Sequence, residues 1–361
     1  MKKLRAGIVG ATGMVGQRFI TLLHDHPYFE ISVLAASPRS AGKTYAEAVG
    51  SRWRMSTPMP EAVASMTVLD AANVDDVSDA CDFILCAIDD RDADATRALE
   101  EAYAQHETPV ISNNSVNRKT PDVPMIIPEI NDSHLDIIPY QQKRLGTTRG
   151  FIVVKPNCSI QSYVPQITPL LRFRPERVIV STYQAISGSG KTLEETPDMA
   201  DNVKPYIKGE EAKSEQEPLK IWGKIKNGLI VNSASPLISA HCVRVPVSDG
   251  HLASVFVDFA DPPTPEDIIA AWRDFRGKPQ MLSLPSAPEQ FITYFEEPDR
   301  PQTALDRNIG SGMGVSVGRL ERDSVFDYKF IGLSHNTLRG AAGGGVLTAE
   351  LLYRLGYLIS K

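Results

Sequence analysis

Residues 4–16 read Leu4-Arg5-Ala6-Gly7-Ile8-Val9-Gly10-Ala11-Thr12-Gly13-Met14-Val15-Gly16, and this stretch decides the fold. A short apolar strand runs into a G-x-x-G-x-x-G turn, and an apolar-periodic helix follows over residues 15–24. Glycines in a first strand–helix turn let the backbone approach a pyrophosphate at the helix N-terminus. Gly10, Thr12, Gly13, Met14 and Val15 are therefore candidate cofactor contacts. A glycine-rich turn without a ligand has the same composition. The position directly after a strand and before a helix gives the motif its weight.

Outward from this turn, strands and helices alternate. Residues 30–36, 67–70, 83–88 and 109–112 read as strands, and residues 92–106 as a helix. That alternation predicts a Rossmann-type, doubly wound parallel sheet. After the second strand comes Ala35-Ala36-Ser37-Pro38-Arg39-Ser40-Ala41-Gly42-Lys43, with no acid to bond the ribose hydroxyls of NAD. Ser37, Arg39 and Ser40 instead suit a 2′-phosphate, so NADP is favoured over NAD; a plain solvated loop is the alternative. Asp89, Asp90, Asp92 and Asp94 open a helix, where negative charge is favourable, and are read so instead of as a metal cluster. His24 and His26 read as surface residues, and no metal site is expected.

From about residue 135 the pattern changes. Residues 178–185, 229–233, 241–246, 252–259 and 314–319 read as longer strands, and 213–222 as a polar helix. They predict an α+β domain built on a mixed or antiparallel sheet. An apolar helix over 346–358 is expected to return to the first domain. The expected division is a nucleotide domain over 1–135, completed by 337–361, and a catalytic and dimerisation domain over 136–336.

A length of 361 residues fits two domains. A net charge of −6 without a basic block argues against nucleic acid and acidic membranes as partners. No apolar run is long enough to span a bilayer. The opening Met1-Lys2-Lys3-Leu4-Arg5 runs into a glycine-punctuated strand and does not read as a signal peptide, so a reducing cytoplasm is the expected compartment. Cys81, Cys86, Cys158 and Cys242 have neither disulfide-framework nor metal spacing.

Cys158 stands apart. In Val153-Val154-Lys155-Pro156-Asn157-Cys158-Ser159 an apolar run stops at a Pro-Asn turn and presents a thiol. A helix-like stretch over 159–173 follows, and a helix N-terminus favours a thiolate, which attacks electron-poor carbonyls. Pro165 and Pro169 predict that this helix is short or kinked. A buried structural cysteine is the alternative. Gln184 ends a strand before the Gly/Ser loop of Ser187 and Gly188, placed to meet a substrate and a cofactor ring. Glu210 and Lys213 are one helical turn apart and share a face, either as a surface ion pair or as handles for a zwitterion and an anion. Arg244 lies on a strand, where its fork suits a carboxylate. His251 follows the Asp249-Gly250 turn, as an acid–base candidate at neutral pH.

With these motifs in order, nearly end to end, the chain resembles the aspartate-semialdehyde dehydrogenases of the archaeal and fungal branch. The further markers are Gly209-Glu210-Glu211, Arg244-Val245-Pro246-Val247-Ser248-Asp249-Gly250-His251, and the run from Asn336 to Gly344. The resemblance implies Cys158 as nucleophile, His251 as acid–base residue and Gln184 as orienting residue. It implies that Arg244 and Glu210 bind the amino acid, and that Lys213, Asn113 and Arg118 hold phosphate. Asn336 joins Ser187 and Gly188 in the cofactor set. The implied reaction is NADP-dependent reductive dephosphorylation of L-aspartyl 4-phosphate to L-aspartate 4-semialdehyde through a thioester. That step serves lysine, threonine, methionine and isoleucine biosynthesis. Backbone N–H groups near Cys158 are the implied oxyanion donors, and a homodimer or homotetramer is the implied assembly. Rival readings are a malonyl-CoA reductase, an N-acetyl-glutamyl phosphate reductase and a non-catalytic NADP-sensing protein. The Glu210 and Arg244 pair favours a free amino acid.

Overall fold

The structure, a computed structural model, describes residues 2–88 and 92–361; Asp89 and Asp90 of the acidic group lie outside them. The first sheet contains β1 (Leu4–Val9), β2 (Phe29–Ala36), β3 (Val68–Asp70), β4 (Phe83–Cys86), β5 (Val110–Ser112) and β6 (Ile152–Val154). Its order is β3-β2-β1-β4-β5-β6, and every pairing is parallel. This is the doubly wound sheet that the alternation predicts. Parallel strands carry helices on both faces, so central strands are apolar throughout; all of Phe83–Cys86 is buried. A parallel sheet also collects its strand carboxyl ends at one edge, where ligands of such folds bind. That edge holds the glycine turn after β1, Ser37–Ser40 after β2, the Asn113 loop after β5 and the Cys158 segment after β6.

The C-terminal helix, Gly343–Arg354, does return to this sheet: Val346, Leu347, Leu351 and Leu352 share a core with Phe19, Ile20 and Leu34. It begins earlier than its apolar run, because its three glycines form the first turn.

The second sheet contains β7 (Pro175–Gln184), β10 (Leu237–Arg244), β11 (His251–Phe259), β12 (Ile292–Phe295), β13 (Val315–Arg322) and β14 (Tyr328–Ser334), in the order β10-β7-β11-β14-β13-β12. The β10–β7 and β12–β13 pairs are parallel and the other pairings antiparallel, so the sheet is mixed. Residues 229–233 do not join it: β9 (Leu229–Val231) pairs only with β8 (Lys224–Lys226) in a separate ribbon. Strands β12 and β14 were not anticipated, although β14 alternates buried and half-buried residues at its start.

Three local expectations meet the structure differently. The helix after Cys158 is broken into Ser159–Ser162, Val164–Ile167 and Thr168–Phe173, as its prolines predict. Asp92 caps Ala93–Gln105, its carboxylate accepting the N–H groups of Asp94 and Ala95. His26 corrects the surface reading: it is buried, stacked on Phe29, with Nε2 at 2.9 Å from Glu350 Oε1. The C-terminal helix that covers it lies more than three hundred residues away in sequence, so local composition carried no sign of it.

Candidate active site

Strand register assembles the site. Arg244 pairs with Gln184 across β10 and β7, and His251, at the start of β11, pairs with Ser334 at the end of β14. One edge of the second sheet therefore presents Gln184, Arg244 and His251 together, with Asn336 just beyond. Cys158 arrives from the carboxyl edge of the first sheet. Its Sγ lies 3.5 Å from His251 Nε2.

The His251 ring is fully buried, and its Nδ1 accepts the backbone N–H of Ala185 at 3.0 Å. A neutral ring that accepts at Nδ1 carries its hydrogen on Nε2, a tautomer assigned from this geometry. Burial, helped by Arg244, outweighs the pull of the Gly250 carbonyl and pushes the imidazole down to about 3. His251 thus faces the sulfur as a neutral donor. Desolvation disfavours the imidazolium, which holds the ring below the usual imidazole range that the acid–base expectation assumes. Gly188 belongs to the same packing: a Cβ there would stand 2.9 Å from Arg244 Nη1 and 3.1 Å from the His251 ring.

The thiol also departs from expectation. Burial, with Glu210 adding, pushes Cys158 up to about 11 despite Lys155, Arg118 and Arg244. The helix behind it is a four-residue 3₁₀ turn, too short for the dipole that a long helix would offer. Two backbone donors flanking Cys158 are already used. The Asn157 N–H goes to Glu217 at 2.6 Å, and the Ser159 N–H to Asn157 Oδ1 at 2.8 Å. The expected backbone oxyanion donors at these two positions are therefore engaged, and the His251 Nε2–H is a donor aimed at the sulfur.

The amino-acid end is built around Glu210. Its carboxylate accepts from Lys213 Nζ at 2.8 Å, from Asn157 Nδ2 at 3.0 Å and from Gln184 Nε2 at 3.3 Å. Burial alone would raise this carboxyl, but Lys213 and the amide donors bring it below its usual value. Arg244 Nη1 donates to the Ala185 carbonyl at 2.6 Å. At the opposite end, Arg118 Nη1 donates to Glu217 at 3.0 Å and Nη2 to the Asn113 carbonyl at 3.3 Å. The Asn113 amide atoms and Arg118 Nε are buried without partners among the described residues. The N–H donors among them, Asn113 Nδ2 and Arg118 Nε, are of the kind an anionic ligand satisfies.

The nucleotide end fits NADP. Gly10 has φ +86°, and a Cβ there would stand 2.2 Å from the Ala87 carbonyl, so only glycine allows this turn. Gly13 is the N-cap of helix Met14–Leu23 and provides no side-chain cap, leaving N–H groups at Met14 and Val15 beside Thr12 for a pyrophosphate. Ser37 and Arg39 are exposed, and Ser40 lies beneath them. Asn336 Nδ2 donates to Ser187 Oγ at 2.8 Å, and its Oδ1 accepts the Gly250 N–H at 2.8 Å. That ties the Ser187–Gly188 loop to the turn before His251.

Four residues of this constellation escaped the sequence reading. Lys155 and Asn157 lay inside the quoted cysteine motif. Glu217 sits seven residues after Glu210, on the same helix face, so its spacing was a usable signal. Glu100 is fully buried and accepts from Ser112 Oγ, Asn114 Nδ2 and Asn117 Nδ2, thereby shaping the Asn113 loop.

Comparison with known proteins agrees with this geometry. A family model described as semialdehyde dehydrogenase, NAD binding domain, matches residues 5–138; one described as semialdehyde dehydrogenase, dimerisation domain, matches residues 167–339. An aspartate-semialdehyde dehydrogenase of Aspergillus fumigatus is 42% identical over 365 residues, covering 99% of each chain. That of Methanothermobacter thermautotrophicus is 44% identical over 354 residues, covering 97% of this chain and 99% of its own. The crystal structure of the Candida albicans enzyme with NADP superposes with a TM-score of 0.88 at 38% identity, covering 99% of this chain and 100% of that one. On fold, site and sequence together, the chain belongs to the aspartate-semialdehyde dehydrogenase family.

Proposed function

We propose that the chain reduces L-aspartyl 4-phosphate to L-aspartate 4-semialdehyde with NADPH, through a thioester on Cys158. The observation that carries this reading is Cys158 Sγ at 3.5 Å from His251 Nε2, between the donors gathered on Glu210 and the orphaned donors of Asn113 and Arg118. Arg244 offers its fork to the α-carboxylate and Glu210 its carboxylate to the α-ammonium. Lys213 holds Glu210 ionised, while Asn113 and Arg118 receive the phosphate with it. As thiolate, its proton already lost to solvent, the sulfur attacks the acyl carbon, the bond to phosphate breaks with the pair leaving on the phosphate oxygen, and a thioester remains. NADPH, when bound, supplies the hydride. As the acyl carbon is reduced, its oxygen gathers charge and accepts the Nε2–H of His251. Collapse of that oxyanion restores the carbonyl and releases the sulfur as thiolate.

Arg39, with Ser37 and Ser40, selects the 2′-phosphate of NADP. The outer surface of the second domain exposes Ile179, Tyr183 and Leu237, which supports self-association as a homodimer. The cytoplasm is the compartment implied by this metabolic role and by four free cysteines. No helix among the described residues is long and apolar enough to cross a membrane.

The test offers aspartate semialdehyde, phosphate and NADP to the wild type and to Cys158→Ala, and malonyl-CoA with NADPH in a parallel assay. Phosphate-dependent NADP reduction is expected from the wild type. The alanine variant should bind NADP and turn nothing over. Residual turnover in Cys158→Ala would remove the nucleophile, and faster turnover of malonyl-CoA would replace the substrate.

A further inference from the structure

Lys155 directly follows β6 and precedes the nucleophile by three residues. It is only 3% exposed, and its ammonium makes no hydrogen bond or ion pair among the described residues. Other buried cations nearby are satisfied: Arg339 pairs with Glu129, and Lys220 donates to the carbonyls of Arg118, Thr120 and Val123 at 2.7, 2.8 and 2.8 Å. The Lys155 chain is lodged beneath the C-terminal segment. A Cβ on Gly344 would stand 3.1 Å from its Nζ, and a Cβ on Gly340, four residues earlier, would stand 2.8 Å from Cys158 Cβ. Ammonium and thiol thus sit under the same C-terminal segment.

We propose that Lys155 is the internal counter-cation of the Cys158 thiolate, a positioning residue that acts on the reaction through the sulfur. The proposal rests on Cys158 as nucleophile. In the tautomer assigned from the Ala185 contact, Nε2 carries the hydrogen, so His251 does not take the thiol proton. The charged groups around Lys155 are Cys158, Arg118, Arg339 and Glu217; around Cys158 they are Glu210, Lys155, Arg118 and Arg244, beside neutral His251. Glu217 is taken by Arg118 and Glu129 by Arg339, so Lys155 has no carboxylate of its own. Lys155 exerts the largest of the attractions opposing the rise of the thiol. In turn, burial first, with Arg339 adding, pushes the ammonium down to about 7, and Cys158 opposes that fall. Each ionised form stabilises the other.

The experiment follows iodoacetamide alkylation of Cys158 against pH in the ligand-free enzyme, for the wild type, K155M and K155R, with thermal melts and the KM for phosphate alongside. Losing the counter-charge should slow K155M alkylation about tenfold near pH 6, where the ammonium is charged, one pKa unit being a factor of ten, and the difference should close as pH rises through about 7. K155R should recover most of the rate. The K155M melt should not fall, because the substitution removes an unpaired buried charge. An unchanged alkylation profile overturns the proposal, and a raised phosphate KM alongside it would make Lys155 a phosphate ligand. A lower K155M melt, or equal slowing in a folded K155R, would make the residue structural. If K155R does not fold, the K155M profile and melt decide by themselves. No substrate enters this readout, so it is independent of the substrate assignment.

Discussion

Downstream of Cys158, Arg339 donates to both oxygens of Glu129, donates from Nε to Gln161 at 3.3 Å, and lies 4.8 Å over the Phe291 ring. Upstream, the Asn113 amide and Arg118 Nε are buried with no partner among the described residues, beside the 3% exposed Lys155. Both regions border the same thiol. In the first, the Arg339 guanidinium is paired within the chain and the Gly340 backbone packs against Cys158, with Gln161 Nε2 alone left without a partner; in the second, the Asn113 amide and Arg118 Nε have none among the described residues. Desolvating a polar group costs about 1–3 kcal/mol when it is left unpaired, so such groups persist where a ligand or a charged intermediate meets them. The difference lies in the charged groups: the Arg339 guanidinium is matched by a carboxylate, whereas the donors at Asn113 and Arg118 Nε are not.

The largest effect should come from breaking the Arg339 pair. Glu129→Gln strands the Arg339 guanidinium in the core and should cost about 3–5 kcal/mol of stability, read by urea unfolding. A loss below about 1 kcal/mol would mean that the pair does not brace the Cys158 segment.

Next comes His251, which stands between the two regions. His251→Ala should lower kcat by about 10²–10³-fold, the usual value of an oxyanion donor, and His251→Gln should recover part of it through its amide N–H. With the imidazole pushed down to about 3, the ring keeps one protonation state from pH 5 to 9. The kcat profile should therefore show no limb in that window that His251→Gln removes. Such a limb would restore His251 as a general acid–base residue.

The smallest effect should come from Arg39, an exposed cation at the nucleotide end. Arg39→Ala should weaken NADP by about 1.5–3 kcal/mol and leave both NAD affinity and the melt unchanged. Equal losses for the two cofactors would show that Arg39 does not read the 2′-phosphate.

Much of this architecture was legible before any coordinates. The glycine turn, the strand–helix alternation and the prolines after Cys158 act through the chain within a few residues of themselves. Cys158, Gln184, Glu210, Arg244 and His251 were legible as candidates because each sits at a strand end, a turn or a helix start. Strand β14 was missed although its partial alternation is visible, and β12 is too short to stand out. Glu129 and Arg339 are 210 residues apart, and neither carries a local sign of the other.

By itself, then, the sequence determined the doubly wound sheet, the mixed second sheet and the residue types that chemistry at Cys158 needs. Short-range sterics and hydrophobic period encode these. Only the tertiary structure decided their charge states. The tautomer of His251 depends on an Ala185 N–H that lies 66 residues away, and the thiol and the Lys155 ammonium are shifted by burial that no single segment creates. Desolvation and through-space charge sum over everything packed around a group, so they exist only once the two sheets and the C-terminal segment have closed around it.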